Sequence, residues 1–244
     1  MTGHYNPSEE LILKTVKLFG YMTRFLLQIY FFGFDKRSKS LEVYLPKLER
    51  EGKLIVSNHE GKKVYSPARK NRVQKNSIAH ELGWVEIFIR LWRCRINEWE
   101  LVPEKEFRGF SVVPEVGIRY SAERGTMIVI EHSTSDNFKR QGGGVVKSKI
   151  TRYLKSLPKM EAWAKREITV LFVFQAEREQ VKKFVDKVQP MLREPVISAI
   201  SEKPRYPFFF TDFATFANVP MGKALTERIY FWHDGKEWRL SNHD

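Results

Sequence analysis

Ser111-Val112-Val113-Pro114-Glu115, Met127-Ile128-Val129-Ile130-Glu131 and Lys149-Ile150-Thr151-Arg152-Tyr153 are the stretches whose reading decides the fold. The first two are short β-prone runs, each closed by a glutamate, and the third has the spacing of a helix. Read together, they give two neighbouring strands that bring Glu115 and Glu131 to one place and a helix whose basic face returns Lys149 to them. Two carboxylates meeting across adjacent strands suit Mg2+ or Mn2+. Such an ion polarises a phosphodiester and activates a water, so the expectation is a metal-dependent phosphodiesterase site at Glu115, Glu131 and Lys149. The competing reading is a pair of ordinary solvated glutamates at strand ends.

The elements on either side place these stretches in a larger order. A long helix capped by Ser77 runs through Ile78, Leu82, Val85, Phe88, Ile89 and Trp92. Strands are expected over 98–103, 110–118 and 126–132, then a Gly142-Gly143-Gly144 loop and a helix over 145–157. Residues 168–174 are almost continuously apolar, which marks a central strand. A helix over 177–192, an aromatic strand over 206–213 and a hairpin across Asp234-Gly235 complete the chain.

Upstream lies a different pattern. Asn6-Pro7-Ser8-Glu9 reads as a helix start with Asn6 as the cap, and Gly20 as its stop. Thr23 caps a second helix through Phe32, and Ser38 or Ser40 a third through Leu41, Leu45 and Leu48 to Gly52, with Pro46 inside it. Residues 53–57 and 62–66 then flank Asn58-His59-Glu60-Gly61 as a hairpin. Three helices and a hairpin make a winged helix-turn-helix. Its DNA-contacting cations would be Lys36, Arg37, Lys39, Lys47, Arg50, Lys62 and Lys63, against the plainer reading of a solvated charged face. The domains expected are therefore residues 1–70, a winged helix-turn-helix, and residues 71–244, a mixed-sheet domain. The fold class is α+β to α/β.

Composition bears on the partner. Across 244 residues, 42 Lys plus Arg against 29 Asp plus Glu leave a formal charge of +13, which favours nucleic acid or another anionic surface. Residues 1–70 carry 13 Lys plus Arg against 7 Asp plus Glu, a disproportionate share of that surplus. The apolar stretch Leu18 to Phe34 is broken by Thr23, Arg24 and Gln28, so no membrane partner is expected. The first residues lack the pattern of a secretion signal, and the single Cys94 offers neither a disulfide nor a Cys-x-x-Cys pair; a cytoplasmic protein is expected.

Helix, three strands, helix, strand, with acids at Pro114-Glu115 and Ile130-Glu131, resembles the core of PD-(D/E)XK nucleases. Over nearly the whole chain the arrangement resembles the replication-relaxation family of plasmid and conjugative-element proteins, which overlaps the MobC-type relaxases. The matching residues are Leu48-Glu49-Arg50-Glu51-Gly52-Lys53-Leu54 with Val64-Tyr65, the helix opening His80-Glu81-Leu82, Pro114-Glu115, Ile130-Glu131, and Lys149 followed by Tyr153. The resemblance implies a winged helix before a nuclease-like domain in a DNA-binding protein of plasmid replication or mobilisation. It implies metal-dependent DNA nicking, with Glu115 and Glu131 as metal ligands and His80, Glu81 and Lys149 completing the catalytic set.

Two departures from that pattern matter. Glu131-His132-Ser133 puts serine where the motif has lysine, so Lys149, one helix later, would supply the ammonium; and Pro114 is followed by glutamate rather than aspartate. A non-enzymatic initiator or accessory factor of plasmid replication or transfer, whose degenerate nuclease-like domain grips DNA, duplex or single-stranded, or contacts other replication and transfer proteins, is the first alternative. A transcriptional regulator whose second domain senses a ligand or forms a homodimer is the second. His80 has a packing role as its competitor. Tyr153 reads as packing or a phosphate contact, because no histidine-hydrophobe-histidine cluster accompanies it. Phe208, Phe209, Phe210, Phe213 and Phe216 are candidates for base stacking, although such runs are more often core.

Overall fold

The computed structural model describes residues 7–33, 39–68, 75–93, 99–120, 126–133, 144–214, 230–233 and 236–239. They form a mixed α and β architecture in two compact units, Met1–Arg93 and Cys94–Asp244.

In the first unit, α1 (Glu9–Phe19) turns Ile12, Thr15, Val16 and Phe19 inward at helical spacing. Ser8 caps it, its hydroxyl accepting from the Leu11 amide at 3.3 Å, so the cap stands two residues beyond the expected Asn6, which lies outside the described residues. Thr23 closes the short strand β1 (Met22–Thr23) and caps α2 (Arg24–Phe32) as expected, accepting from the Leu26 amide at 3.1 Å. Helix α3 (Lys39–Arg50) buries Leu41, Leu45 and Leu48, and Pro46 lies on its exposed side without ending it. At its end Gly52 takes φ +64°, and the Lys53 amide donates back to the Leu48 carbonyl at 2.9 Å, satisfying a carbonyl that the helix leaves open.

The hairpin that follows is tighter than the sequence suggested. Strands β2 (Leu54–His59) and β3 (Lys62–Pro67) pair up to His59↔Lys62, leaving a two-residue turn in which Glu60 and Gly61 take φ +48° and +75°. Two successive positive φ values are what a type I′ turn requires, and its twist matches that of the strands. Strand β1 adds to the other side of β3 through Met22↔Tyr65 and Thr23↔Val64, giving the order β1-β3-β2.

The long helix α4 (Lys75–Arg93) belongs to this unit. Val85 and Ile89 share one core with Ile12, Leu26 and Leu45, while Ile78 packs with Tyr21 and Val64. The boundary expected after residue 70 therefore falls after Arg93, because the apolar face of α4 is spent on the helices and hairpin that precede it.

The second unit is built on five strands. They are β4 (Trp99–Pro103), β5 (Val116–Tyr120), β6 (Met127–Ser133), β7 (Ile168–Phe174) and β10 (Phe208–Asp212), in the spatial order β10-β7-β6-β5-β4. Pairs β4/β5 and β5/β6 are antiparallel, whereas β6/β7 and β7/β10 are parallel. Helix α5 (Gly144–Ala164) connects β6 to β7, and α6 (Arg178–Leu192) follows β7. Small pairs β8 (Val196–Ile197) with β9 (Pro204–Arg205) and β11 (Tyr230–His233) with β12 (Lys236–Arg239) lie outside this sheet.

Strand β5 starts later than expected. Residues 110–115 are bends and irregular chain, and the ladder begins only after Pro114, which has no amide to donate. Strand β7 has parallel partners on both sides and is buried except at Thr169, which explains its apolar run. One sheet face carries Val129, Val170, Phe172, Phe174, Phe208 and Phe210 beneath Tyr153 and Leu157 of α5 and Phe184 and Val188 of α6. Phe172 and Phe210 stack at 5.4 Å and 12°. Among the described residues no helix is long and apolar enough to cross a membrane.

Candidate active site

Antiparallel pairing of β5 with β6 is what brings the two acids together. The last registered pair is Val116↔Ile130, and the Glu115 amide donates to the Ile130 carbonyl at 3.1 Å. One step further, the two chains run on to Glu115 and Glu131. The expectation that each glutamate closes a strand is corrected for Glu115: it precedes β5, while Glu131 lies near the end of β6. Because the strands run oppositely, the start of one and the end of the other meet.

Glu131 is only 1% exposed. Its Oε1 accepts a hydrogen bond from the Tyr153 hydroxyl at 2.7 Å, and its Oε2 accepts from Lys149 Nζ. Lys149 Nζ also stands 4.0 Å from Glu115 Oε1, so one ammonium faces both carboxylates. Lys149 and Tyr153 lie one turn apart on α5 and project from one side of it. Helix α5 thus supplies the ammonium that Ser133, buried at the end of β6, does not.

Burial raises the affinity of Glu131 for a proton above that of an ordinary glutamate, and the Glu115 charge adds to the effect. Lys149 and the Tyr153 hydroxyl oppose it. Burial, and then the Glu131 charge, push the Tyr153 phenol well above its ordinary value, so this hydroxyl keeps the proton it donates to Glu131. Tyr153 is fully enclosed and packs edge-on against Phe172 at 6.2 Å, which excludes the phosphate-contact reading and keeps the packing one.

Comparison with protein-family models, with curated proteins and with solved structures finds no match to this chain.

Whether the residues suit a metal ion follows from the donors. Among the described residues no group of three or more His, Cys, Asp or Glu side chains converges, so an all-protein cage is not what these residues offer. Mg2+ and its congeners commonly use one or two carboxylates and fill the remaining positions with water and substrate phosphate. The pair Glu115 and Glu131 fits that minimal mode, provided Lys149 yields part of its hold on Glu131 Oε2.

The other anticipated residues fall in the first unit or outside the described ones. His80 and Glu81 lie on α4, where Glu81 accepts from Trp84 Nε1 at 2.8 Å; burial, and then the Glu81 charge, raise the Tyr21 phenol. Glu86 on the same helix holds Arg90 at 2.6 Å. The Glu115, Glu131 and Lys149 group is built within the second unit alone.

Lys39, Arg50, Lys62 and Lys63 are exposed, and Lys63 stands 3.8 Å from Glu49. Lys47 is engaged by Glu9 and stands 3.9 Å from Glu51, which makes it a structural tie between α1 and α3 rather than a free cation. Lys36, Arg37 and Phe216 lie outside the described residues. Phe208 and Phe210 are core, so base stacking is not open to them.

Sequence reading missed Glu161 and Arg205. Glu161 is fully buried, accepts from the amides of Ile168 (3.1 Å) and Ala199 (2.8 Å), and pairs with Arg205, which also donates to the Ile168 carbonyl at 2.7 Å. Burial lowers Arg205 to about 10, so it stays charged at neutral pH. The available signal was position: Glu161 continues the inward spacing of Ile150, Tyr153 and Leu157 along α5.

Proposed function

We propose that this chain is a DNA-binding protein of plasmid replication or mobilisation whose second unit is a PD-(D/E)XK-like, metal-dependent DNA-nicking endonuclease. The carrying observation is the buried Glu131, joined by Lys149 beside Glu115 where β5 and β6 meet. A carboxylate held out of water against a second carboxylate is costly and needs a reason beyond packing. The mixed sheet supports the same reading: three antiparallel strands feed a helical crossover into a parallel strand, with one acid just before the second strand and the other near the end of the third. In the first unit, three helices and a tight hairpin whose exposed Lys62 and Lys63 flank the turn support a winged helix that grips duplex DNA.

When bound, a divalent ion supplies charge for the scissile phosphate and an activated water. Glu115 and Glu131 Oε2 are the oxygens placed to hold it. The Tyr153 hydroxyl keeps Glu131 Oε1 engaged and leaves Oε2 on the side of Lys149. Lys149, relieved of Glu131, donates to the phosphate oxygens as negative charge accumulates on them.

The test is nicking of supercoiled plasmid with Mg2+ or Mn2+. Activity is expected in the parent and a loss of at least 100-fold in Glu115→Ala, Glu131→Gln and Lys149→Met, with duplex binding retained. Metal-dependent nicking that survives Glu131→Gln sinks the assignment. A second reading, a DNA-gripping domain that does not cut, draws on Lys149 and Tyr153 already engaging both Glu131 oxygens. Absence of cleavage on plasmid, duplex and single strands, with DNA binding intact, selects it.

A further inference from the structure

Helix α5 has a second face that the site does not use. Its inward residues Val146, Ile150, Tyr153, Leu157 and Met160 leave Arg152, Lys155 and Lys159 exposed on the opposite side. At 3.6 residues per turn these three cations fall within about 60° of one another around the axis and rise about 10 Å along it. The next step of the same row is Trp163, which is 42% exposed yet fixed edge-on against Phe107 at 5.4 Å and Phe110 at 5.6 Å.

Among the described residues the row is uncompensated. The lone acid of α5, Glu161, is buried and committed to Arg205, and Arg152, Lys155 and Lys159 make no ion pair among the described residues. Four cations of the first unit, Lys14, Arg24, Lys47 and Lys53, each face a glutamate instead. Like charges three and four residues apart on a helix repel, so an unpaired row is mildly destabilising unless something anionic lies along it. A rigid, half-exposed indole at the end of a cationic row is the combination that single-stranded nucleic acid favours, charge for the backbone and a ring for an unpaired base.

We propose that the outer face of α5 is a track for a single DNA strand, with Arg152, Lys155 and Lys159 on its phosphates and Trp163 stacked on a base. Binding along the track stands independently; only its use in presenting a strand for cleavage rests on the endonuclease reading. Duplex DNA suits the face less well, because a paired base cannot offer its flat side to Trp163.

Fluorescence anisotropy of the full chain with a labelled oligothymidylate and with a duplex of equal length, in EDTA so that nothing is cut, tests this. Arg152→Ala/Lys155→Ala/Lys159→Ala should reduce the slope of log K against log salt for the single strand by about 2, from roughly 0.7 per phosphate. Trp163→Ala should weaken single-strand binding by about 5- to 100-fold, and Trp163→Phe should restore most of it. All four positions are exposed, and matching thermal melts establish that the variants fold. An unchanged slope overturns the proposal. So does a loss that is equal for duplex and single strand with no effect of Trp163→Ala, which would make the face a general polyanion patch. Failure of plasmid nicking with these shifts intact would remove the endonuclease and leave the track.

Discussion

Replacing Lys149 by Met removes the ammonium beside Glu131 and keeps a stem of similar length. Glu131 then retains its burial, the Glu115 charge and the Tyr153 hydrogen bond, and loses the cation that most favours its ionised form. Its proton affinity in the folded state, already above the ordinary glutamate value, rises further. A carboxyl that binds protons more tightly folded than unfolded makes stability fall as pH rises. The penalty is absent below the ordinary glutamate pKa, grows as pH climbs, and levels off above the folded-state value. Breaking a fully buried pair by removing one partner costs about 3–5 kcal/mol. Lys149 is 23% exposed in its side chain, so some of that is screened and about 2–3 kcal/mol at pH 8 is expected. For a domain of this size the melting temperature should drop by roughly 5–10 °C relative to the parent at pH 8, and by far less at pH 4.5. Differential scanning fluorimetry of both proteins across that range measures the difference directly. Glu131→Gln added to Lys149→Met should recover most of the loss, since no buried charge then stands alone. A loss of the same size at pH 4.5 and pH 8, or one that the double variant fails to relieve, would refute the electrostatic account and leave only the packing of the lysine stem.

Two further positions test the packing around the site. A Cβ on Gly117 would stand 2.7 Å from Phe107 Cζ and against the end of Met127, both buried, so Gly117→Ala should cost about 1–3 kcal/mol in urea melts. A neutral result would mean that Met127 and Phe107 move aside freely. Glu161→Ala strips a partner from Arg205 and an acceptor from the amides of Ile168 and Ala199. It should destabilise by about 3–5 kcal/mol, whereas Glu161→Gln, whose one carbonyl oxygen can still accept from one of the two amides, should cost less. Equal effects of the two variants would contradict the role given to those amides.

What the sequence revealed follows the range of the interactions involved. Helices α1, α2 and α3, strand β7 and the hairpin after Gly52 are local in origin, set by caps, turn residues and periodicity, and they lie close to where those signals place them. The two-residue strands β1 and β8 were illegible because two residues carry no alternation, and β1 in addition takes its pairing from the distant β3. The domain boundary failed for a related reason. The apolar stripe of α4 announces that the helix is covered, but not by what, and Val85 and Ile89 turned out to complete the first core. Pairing of Glu115 with Glu131 was legible because a strand, a short connection and a second strand constrain the ends to meet.

The side chains around Glu131 lay beyond that reach, since they depend on how α5 is rolled against the sheet. Spacing put Lys149 and Tyr153 on one side of the helix without saying that both would end on the same carboxylate. That outcome turns a pattern of two acids and a base into a graded environment, with one oxygen bonded to an enclosed phenol and the other to an ammonium that also faces Glu115. The same roll that buries Tyr153 necessarily turns Arg152, Lys155 and Lys159 to the opposite side. The charge row and the acid site are therefore consequences of one packing decision. A substitution that rotated α5, such as enlarging Ile150 in the tightly packed stripe, should disturb both together: the pH dependence conferred by Lys149 and the salt dependence of strand binding. If the two responses separated in such a variant, the faces would have to be positioned by different parts of the fold.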